Sequence, residues 1–120
     1  MKPKIVKTRF GSITIAGEKY EHDVIIRLNG KVEKRKKKLS KAIFGTSHIL
    51  SQAEAEYVYE TGARRLIIGS GQSGMLKLSP EAAAFFEQQH CAVELLPTEE
   101  ALQFWNAAEG QSIGLFHVTC

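Results

Sequence analysis

Cysteine is nearly absent from this sequence: only Cys91 and Cys120 occur among 120 residues. Two thiols do not make a disulfide framework, and a chain of this length buries enough surface to fold without a disulfide or metal staple. Both are expected to stay reduced. No apolar run approaches the roughly 18 residues that span a bilayer, so no membrane association is expected. The segment from Met1 to Lys7 is positively charged with no apolar stretch behind it, which does not fit a secretory signal. An Arg- and Ser-rich transit peptide is missing as well, and the cytoplasm is the expected location. Internal repeats and low-complexity tracts are also absent. What is there is ordinary globular composition, 43% hydrophobic and 24% charged, at a length that one domain spanning residues 1–120 fills.

The net charge of +3 conceals a strong asymmetry. Residues 1–45 carry 13 lysines and arginines against 4 acids, whereas residues 46–120 carry 3 against 9. A basic half and an acidic half imply a polarised surface if the two fold to different faces.

The periodicity changes along the chain in the same place. Up to about residue 40 it reads as a β-meander. Ser12 to Ile15 alternates polar and apolar, Ala16 to Lys19 is a turn, and His22 to Leu28 is a strand. Asn29-Gly30 is the preferred pair for a type I′ hairpin, with Lys31 to about Lys36 as the returning strand. Ser40 to Leu50 has no clean period and reads as a long loop. Ser51 with Glu54 predicts a capping box opening a helix to about Thr61, with Gly62 after its end. Residues 51–118 then alternate helix and strand. Arg65 to Gly69 is a buried strand, Ser79-Pro80-Glu81 starts a helix, and Ala92 to Leu96 is a strand. Thr98 caps a third helix to about Ala108, and Ile113 to Val118 is the last strand. Such alternation argues for parallel strands with right-handed crossovers, an α/β unit attached to the meander.

Several strings carry a resemblance. His22-Asp23-Val24-Ile25-Ile26, Arg35-Lys36-Lys37-Lys38-Leu39-Ser40-Lys41, Gly45-Thr46-Ser47-His48, the Gly69–Gly74 loop and the ending Leu115-Phe116-His117-Val118-Thr119-Cys120 resemble a widespread small family. It includes an adipogenesis-associated animal protein and a mitochondrial factor that assists respiratory complex I assembly. The resemblance covers essentially the whole chain. It implies a three-layer α/β fold: a small, mostly parallel central sheet flanked by helices, with an N-terminal antiparallel β-meander. It implies little about function, since the assembly role belongs to a eukaryotic branch in another compartment.

Two surfaces carry candidate sites. The loop Gly69, Ser70, Gly71, Gln72, Ser73, Gly74 matches G-x-G-x-x-G after a strand, and Glu94 lies 20 residues beyond it. A dinucleotide site needs the loop to open directly into a helix, but Met75 to Leu78 intervenes, so no dinucleotide cofactor is expected. The glycines fit a tight turn, and the loop N–H groups remain candidates for a small anion at the carboxyl ends of the strands. The second surface is the basic hairpin. Lys34, Lys36 and Lys38 share one face of a strand and Arg35 and Lys37 the other, an exposed cationic ribbon. With Lys41 and the Gly45, Thr46, Ser47, His48 loop it is the candidate contact for an acidic protein partner, or for nucleic acid. The competing reading is a solvated edge strand whose lysines prevent aggregation. No aromatic residue is interleaved with the lysines to stack a base.

The histidines and Cys120 point to no chemistry. His90 ends a helix, where a cation favours the dipole. His22, His48 and His117 lack the compact spacing of metal-ligand pairs, so no metal is expected. A thiol at Cys120 lacks the electropositive surroundings of a nucleophile. Asp23, Thr46, Ser47 and His48 are expected to form a structural polar cluster rather than a catalytic one. The function expected is therefore a non-enzymatic protein-binding or assembly module, monomeric or weakly dimeric. A small-ligand or enzyme site on the glycine loop is the alternative, and nucleic-acid binding through the hairpin the third.

Overall fold

The computed structural model describes residues 2–120. Ten strands and four helices follow the chain in this order. β1 (Ile5–Arg9), β2 (Ser12–Ile15) and β3 (Glu18–Tyr20) come first, then the hairpin β4 (Val24–Ile26) and β5 (Val32–Lys34). Next are α1 (Lys38–Phe44), β6 (Ile49–Leu50), α2 (Gln52–Val58), β7 (Arg65–Ser70) and β8 (Lys77–Leu78). The chain continues with α3 (Pro80–Gln88), β9 (Ala92–Leu96), α4 (Thr98–Ala107) and β10 (Ser112–His117).

The central sheet has the order β5-β4-β10-β7-β9. β10, β7 and β9 are parallel, while β4 pairs antiparallel with β10 and with β5. Its strands read as continuous apolar runs because both faces are covered. Alternation sends Ile25, Leu66, Ile68, Ile113 and Leu115 to one face, where they pack on Ala55 and Val58 of α2 and Ala82 and Phe86 of α3. Val24, Ile26, Ile67 and Phe116 face the other way, onto Ala101 and Trp105 of α4 and Ile5, Ile13 and Ile15 of the N-terminal strands. The expected three-layer α/β fold with its N-terminal antiparallel meander is what the chain adopts. The meander is a separate sheet, β1-β2-β3, docked through Asn106, which donates from Nδ2 to the Ile5 carbonyl at 2.7 Å and accepts from the Ile5 N–H at 2.9 Å. No helix among the described residues is long and apolar enough to cross a membrane.

Five local expectations are corrected. The turn after β4 is not type I′, since only Gly30 has positive φ (89°). Asn29 instead uses its side chain, accepting from the Lys31 N–H at 2.9 Å, an Asx turn that leaves its own φ negative. The expected returning strand stops at Lys34, and the expected loop from Ser40 contains α1, ended by Gly45 at φ 71°. Helical periodicity is missing there because Ser40 is the only buried residue of α1, and it is held by hydrogen bonds rather than apolar packing. The capping box is half formed. Ser51 Oγ accepts from the Glu54 N–H at 3.1 Å, but the Glu54 carboxylate points to Arg35 instead of back to the Ser51 N–H. Thr98 does not cap α4; its hydroxyl donates to the His117 carbonyl at 2.7 Å and accepts from the Gly71 N–H at 2.8 Å. For Ser40, Glu54 and Thr98 a tertiary partner takes the place of the local one.

Candidate functional site

Arg35 was expected on an exposed ribbon, and the structure overturns this: it is 3% exposed. β5 ends one residue before it, so its side chain turns inward between the sheet and α2. There Nε donates to Glu54 Oε2 at 2.6 Å and NH2 to Glu54 Oε1 at 3.1 Å, a two-pronged pair. NH1 donates to Asp23 Oδ2 at 2.9 Å and NH2 also to the Ser47 carbonyl at 2.8 Å. Ser40 donates its hydroxyl to Glu54 Oε1 and accepts from the Ser51 N–H at 3.0 Å. Such a cluster is tolerable in a dry interior only because every member is satisfied. The expected polar cluster thus exists with different members. Ser47 enters through its carbonyl, and Thr46 only accepts from the His48 N–H at 3.1 Å.

Asp23, just before β4, joins this cluster to the end of β10. Its Oδ1 accepts from the Val118 N–H at 2.9 Å, and its Oδ2 lies 2.7 Å from His117 Nδ1. Burial alone would raise the Asp23 pKa. The His117 hydrogen bond and charge, the Val118 N–H and Arg35 outweigh it and hold the carboxyl at about 2. His48 packs edge-on against the His117 ring, centroids 5.4 Å apart. His22 stays outside, with Nδ1 3.0 Å from the Asp23 carbonyl and its ring edge-on to Tyr20. No group of three or more metal-ligating side chains gathers among the described residues. Cys91 is buried, which pushes its thiol up to about 11, while Cys120 is exposed.

The glycine loop lies against the other side of the same segment. Its N–H groups already have acceptors: Gln72 donates to the Thr119 carbonyl at 2.7 Å, and Ser73 and Met75 both donate to the Cys120 backbone oxygen at 3.1 Å. Gly71 donates to Thr98, Gly74 to the Gly71 carbonyl at 3.2 Å. Gly69 and Ser70 lie within β7. A Cβ on Gly71 would stand 2.2 Å from the Cys120 carbonyl carbon, and Gly71 sits at φ 105°. The loop therefore clamps the chain's own residues 119–120, at the place where an anion was envisaged.

On the outer side, a cleft of about 640 Å³ opens between the hairpin and this segment. Lys34, Lys36, Lys37 and Lys38 line it, with His22, Thr119 and Gly11 of the β1–β2 turn. Lys36 Nζ sits 4.5 Å from the Tyr57 ring centroid, and Lys37 Nζ 4.0 Å from Asp23 Oδ2. Lys41 and Gly45 lie on α1 and at its end, exposed and outside the cleft walls. Lys34, Lys36, Lys37 and Lys38 come together along one cleft, while the Gly45–His48 segment splits between the surface and the buried cluster. Sequence reasoning missed Arg35 and Glu54 as partners. A signal was present, in that Arg35 breaks the run of lysines and a bidentate site needs its guanidinium.

Fold and cluster together define a three-layer α/β domain whose hairpin, α2 and carboxyl-terminal strand are locked by a buried arginine–carboxylate network. The chain belongs to the protein family of unknown function DUF498/DUF598, which matches residues 5–116 and agrees with the small α/β family its motifs resemble. It is similar to a conserved hypothetical protein from Pyrococcus horikoshii OT3, with 35% identity and a TM-score of 0.88 over 98% of this chain and 99% of that one. The protein MT938 is 32% identical, with a TM-score of 0.83 over 99% and 100% of the two chains. A Bordetella pertussis protein with a Mth938-like domain shares the fold, at 14% identity and a TM-score of 0.61 over 97% and 85%.

Three outcomes follow from this geometry. Arg35→Met strands two buried carboxylates and is expected to cost about 3–5 kcal/mol, read as a lower urea midpoint. Gly71→Ala combines a backbone clash with a left-handed φ, and is expected to lose about 3 kcal/mol in the same assay. Asp23, lowered from 3.8 to about 2, contributes about 2 kcal/mol. That stability is fully present above the unfolded pKa and is lost as pH falls through the folded one. The Asp23 carboxyl ¹³C shift should titrate near the lower value, and a midpoint at the ordinary one would contradict the network.

Proposed function

We propose that this protein is a cytoplasmic binding or assembly module whose cleft holds an acidic segment of a partner protein. The observation that carries this is the charge of the cleft. Four lysines line it, while Asp23 and Arg35 in its wall are paired with each other inside the protein. Glu21, the remaining acid of the lining, is itself 3.7 Å from Lys19. The field at the mouth is therefore positive and is focused by low-dielectric walls. Phe10, 67% exposed beside Gly11, offers an apolar contact at the rim. A flexible acidic peptide with an apolar residue matches both features, and a rigid scaffold beneath exposed lysines suits capture. The assembly-factor branch of the resembling family supports the same class of role by analogy. The glycine-loop alternative has its backbone N–H groups from Gly71 to Gly74 already engaged, those of Gln72 and Ser73 by residues 119–120.

The test uses Lys34, Lys36 and Lys38, all exposed, and spares Lys37 because it leans on Asp23. A fluorescent peptide rich in Glu and Asp, with one Phe, should bind the wild type with an affinity that falls as salt rises. The Lys34→Glu, Lys36→Glu, Lys38→Glu variant should bind at least about tenfold more weakly, equivalent to about 1.4 kcal/mol, with an unchanged melting temperature. Equal binding by both proteins would sink the proposal. Tighter binding of a single-stranded oligonucleotide than of the peptide would favour nucleic acid instead.

A further inference from the structure

The residues that close the cleft also arrange a hydroxyl, an imidazole and a carboxylate in series. Thr119, half-buried on the cleft wall, has its Oγ1 3.3 Å from His117 Nε2, and His117 Nδ1 is 2.7 Å from Asp23 Oδ2. An ionised carboxylate only accepts, so the hydrogen of the second contact sits on Nδ1. In the uncharged form of a ring so oriented, Nε2 carries the lone pair and faces the Thr119 hydroxyl. This is the order of nucleophile, base and orienting acid used in acyl transfer, recognised by geometry rather than by position in the chain.

Each member is fixed from behind. Asp23 is held by Arg35 and the Val118 N–H, both at 2.9 Å, and the His117 ring by His48. The backbone carrying the hydroxyl is pinned on two sides. Gly11 donates to the Val118 carbonyl at 2.7 Å, and Gln72 to the Thr119 carbonyl at 2.7 Å. Among the described residues Thr119 Oγ1 has no hydrogen-bond partner but His117. A satisfied structural network does not require its terminal hydroxyl to open onto a cleft, and this one does.

We propose that Thr119 and His117, with Asp23 as positioning residue, form an acyl-transfer centre that hydrolyses a small ester or thioester whose acyl part carries negative charge. In the first step Thr119 Oγ1 bonds to the carbonyl carbon, its proton passes to His117 Nε2, and the carbonyl π pair moves onto oxygen. That oxyanion forms in the cleft that Thr119 shares with Lys34, Lys36, Lys37 and Lys38, whose positive field favours the developing negative charge. The pair returns, the bond to the alcohol or thiol breaks, and the leaving group takes the proton from Nε2. Water then attacks the acyl-threonine with Nε2 again accepting the proton. The free acid leaves, and the proton returns to Thr119 Oγ1. Asp23 stays ionised throughout, and water is the only co-reactant. The lysines select a substrate with an anionic tail. The centre stands on the relay itself, independently of peptide capture.

The probe is the mono-p-nitrophenyl ester of succinate, with p-nitrophenyl acetate as the neutral comparison, on the full chain. The wild type should turn over the anionic ester faster than the neutral one. An acyl adduct on Thr119 should be visible by mass spectrometry after rapid quenching. Thr119→Ala, which removes a half-exposed hydroxyl and should melt like the wild type, is expected to fall to the buffer rate, and Thr119→Ser to retain turnover. Turnover by Thr119→Ala equal to that of the wild type, an adduct on a lysine instead, or a wild type no faster than buffer would each overturn the proposal. Loss of peptide binding in the lysine variant has no bearing on the Thr119→Ala result, so the two proposals fail separately.

Discussion

Among the described residues Arg35 is the only lysine or arginine buried in the interior, and four segments take their positions from it. It binds Asp23 at the entry to β4, Glu54 on α2 and the Ser47 carbonyl between α1 and β6. Through Asp23 it also reaches Val118 and His117 at the end of β10. A guanidinium in a dry site is tolerable only if its donors are matched, and a carboxylate only if its charge is answered. Moving any one of these segments strands a charge for the others. That all-or-none character gives the arrangement its definition, beyond what apolar packing supplies.

The same constraint shapes the surface. Because Arg35 is drawn inward, its lysine neighbours turn outward, and the run of five cations becomes a rim of four around a neutralised wall. The glycine loop supplies the opposite support. Its N–H groups hold the backbone of Thr119 and Cys120, and Gly71 must be glycine because the Cys120 backbone occupies the space of a side chain. A loop that resembles a phosphate cradle in sequence is here a cradle for peptide oxygens. The physics is shared, since converging N–H groups favour any oxygen bearing negative charge. Only the fold says which oxygen arrives.

The core is built differently, from pattern rather than from pairs. Runs such as Val24-Ile25-Ile26 and Leu66-Ile67-Ile68 divide between two apolar clusters by simple alternation. Trp105 and Phe116 meet edge to face, with centroids 5.9 Å apart, on the side away from α2 and α3.

Patterns that repeat over several residues were therefore legible in the sequence alone. The alternation of α2, β7, α3, β9, α4 and β10, the Ser79 cap, the buried strand at β7 and the α/β class all follow from local periodicity and capping, which tertiary contacts reinforce, whereas the two-residue β8 paired with β6 carries no such signal. The lysine-rich surface was legible too, since lysines that find no partner inside remain outside. Other features were settled only in three dimensions. α1 is held by two serines and a glutamate distant in sequence, so its residues carry no apolar stripe to read. Glu54 and Thr98 both look like caps, yet each side chain serves a partner from another element. The convergence of Asp23, Arg35 and His117 spans almost the whole chain. Pairing between single charged residues leaves no period to detect, because its energy depends on distance and desolvation that exist only after the sheet has formed.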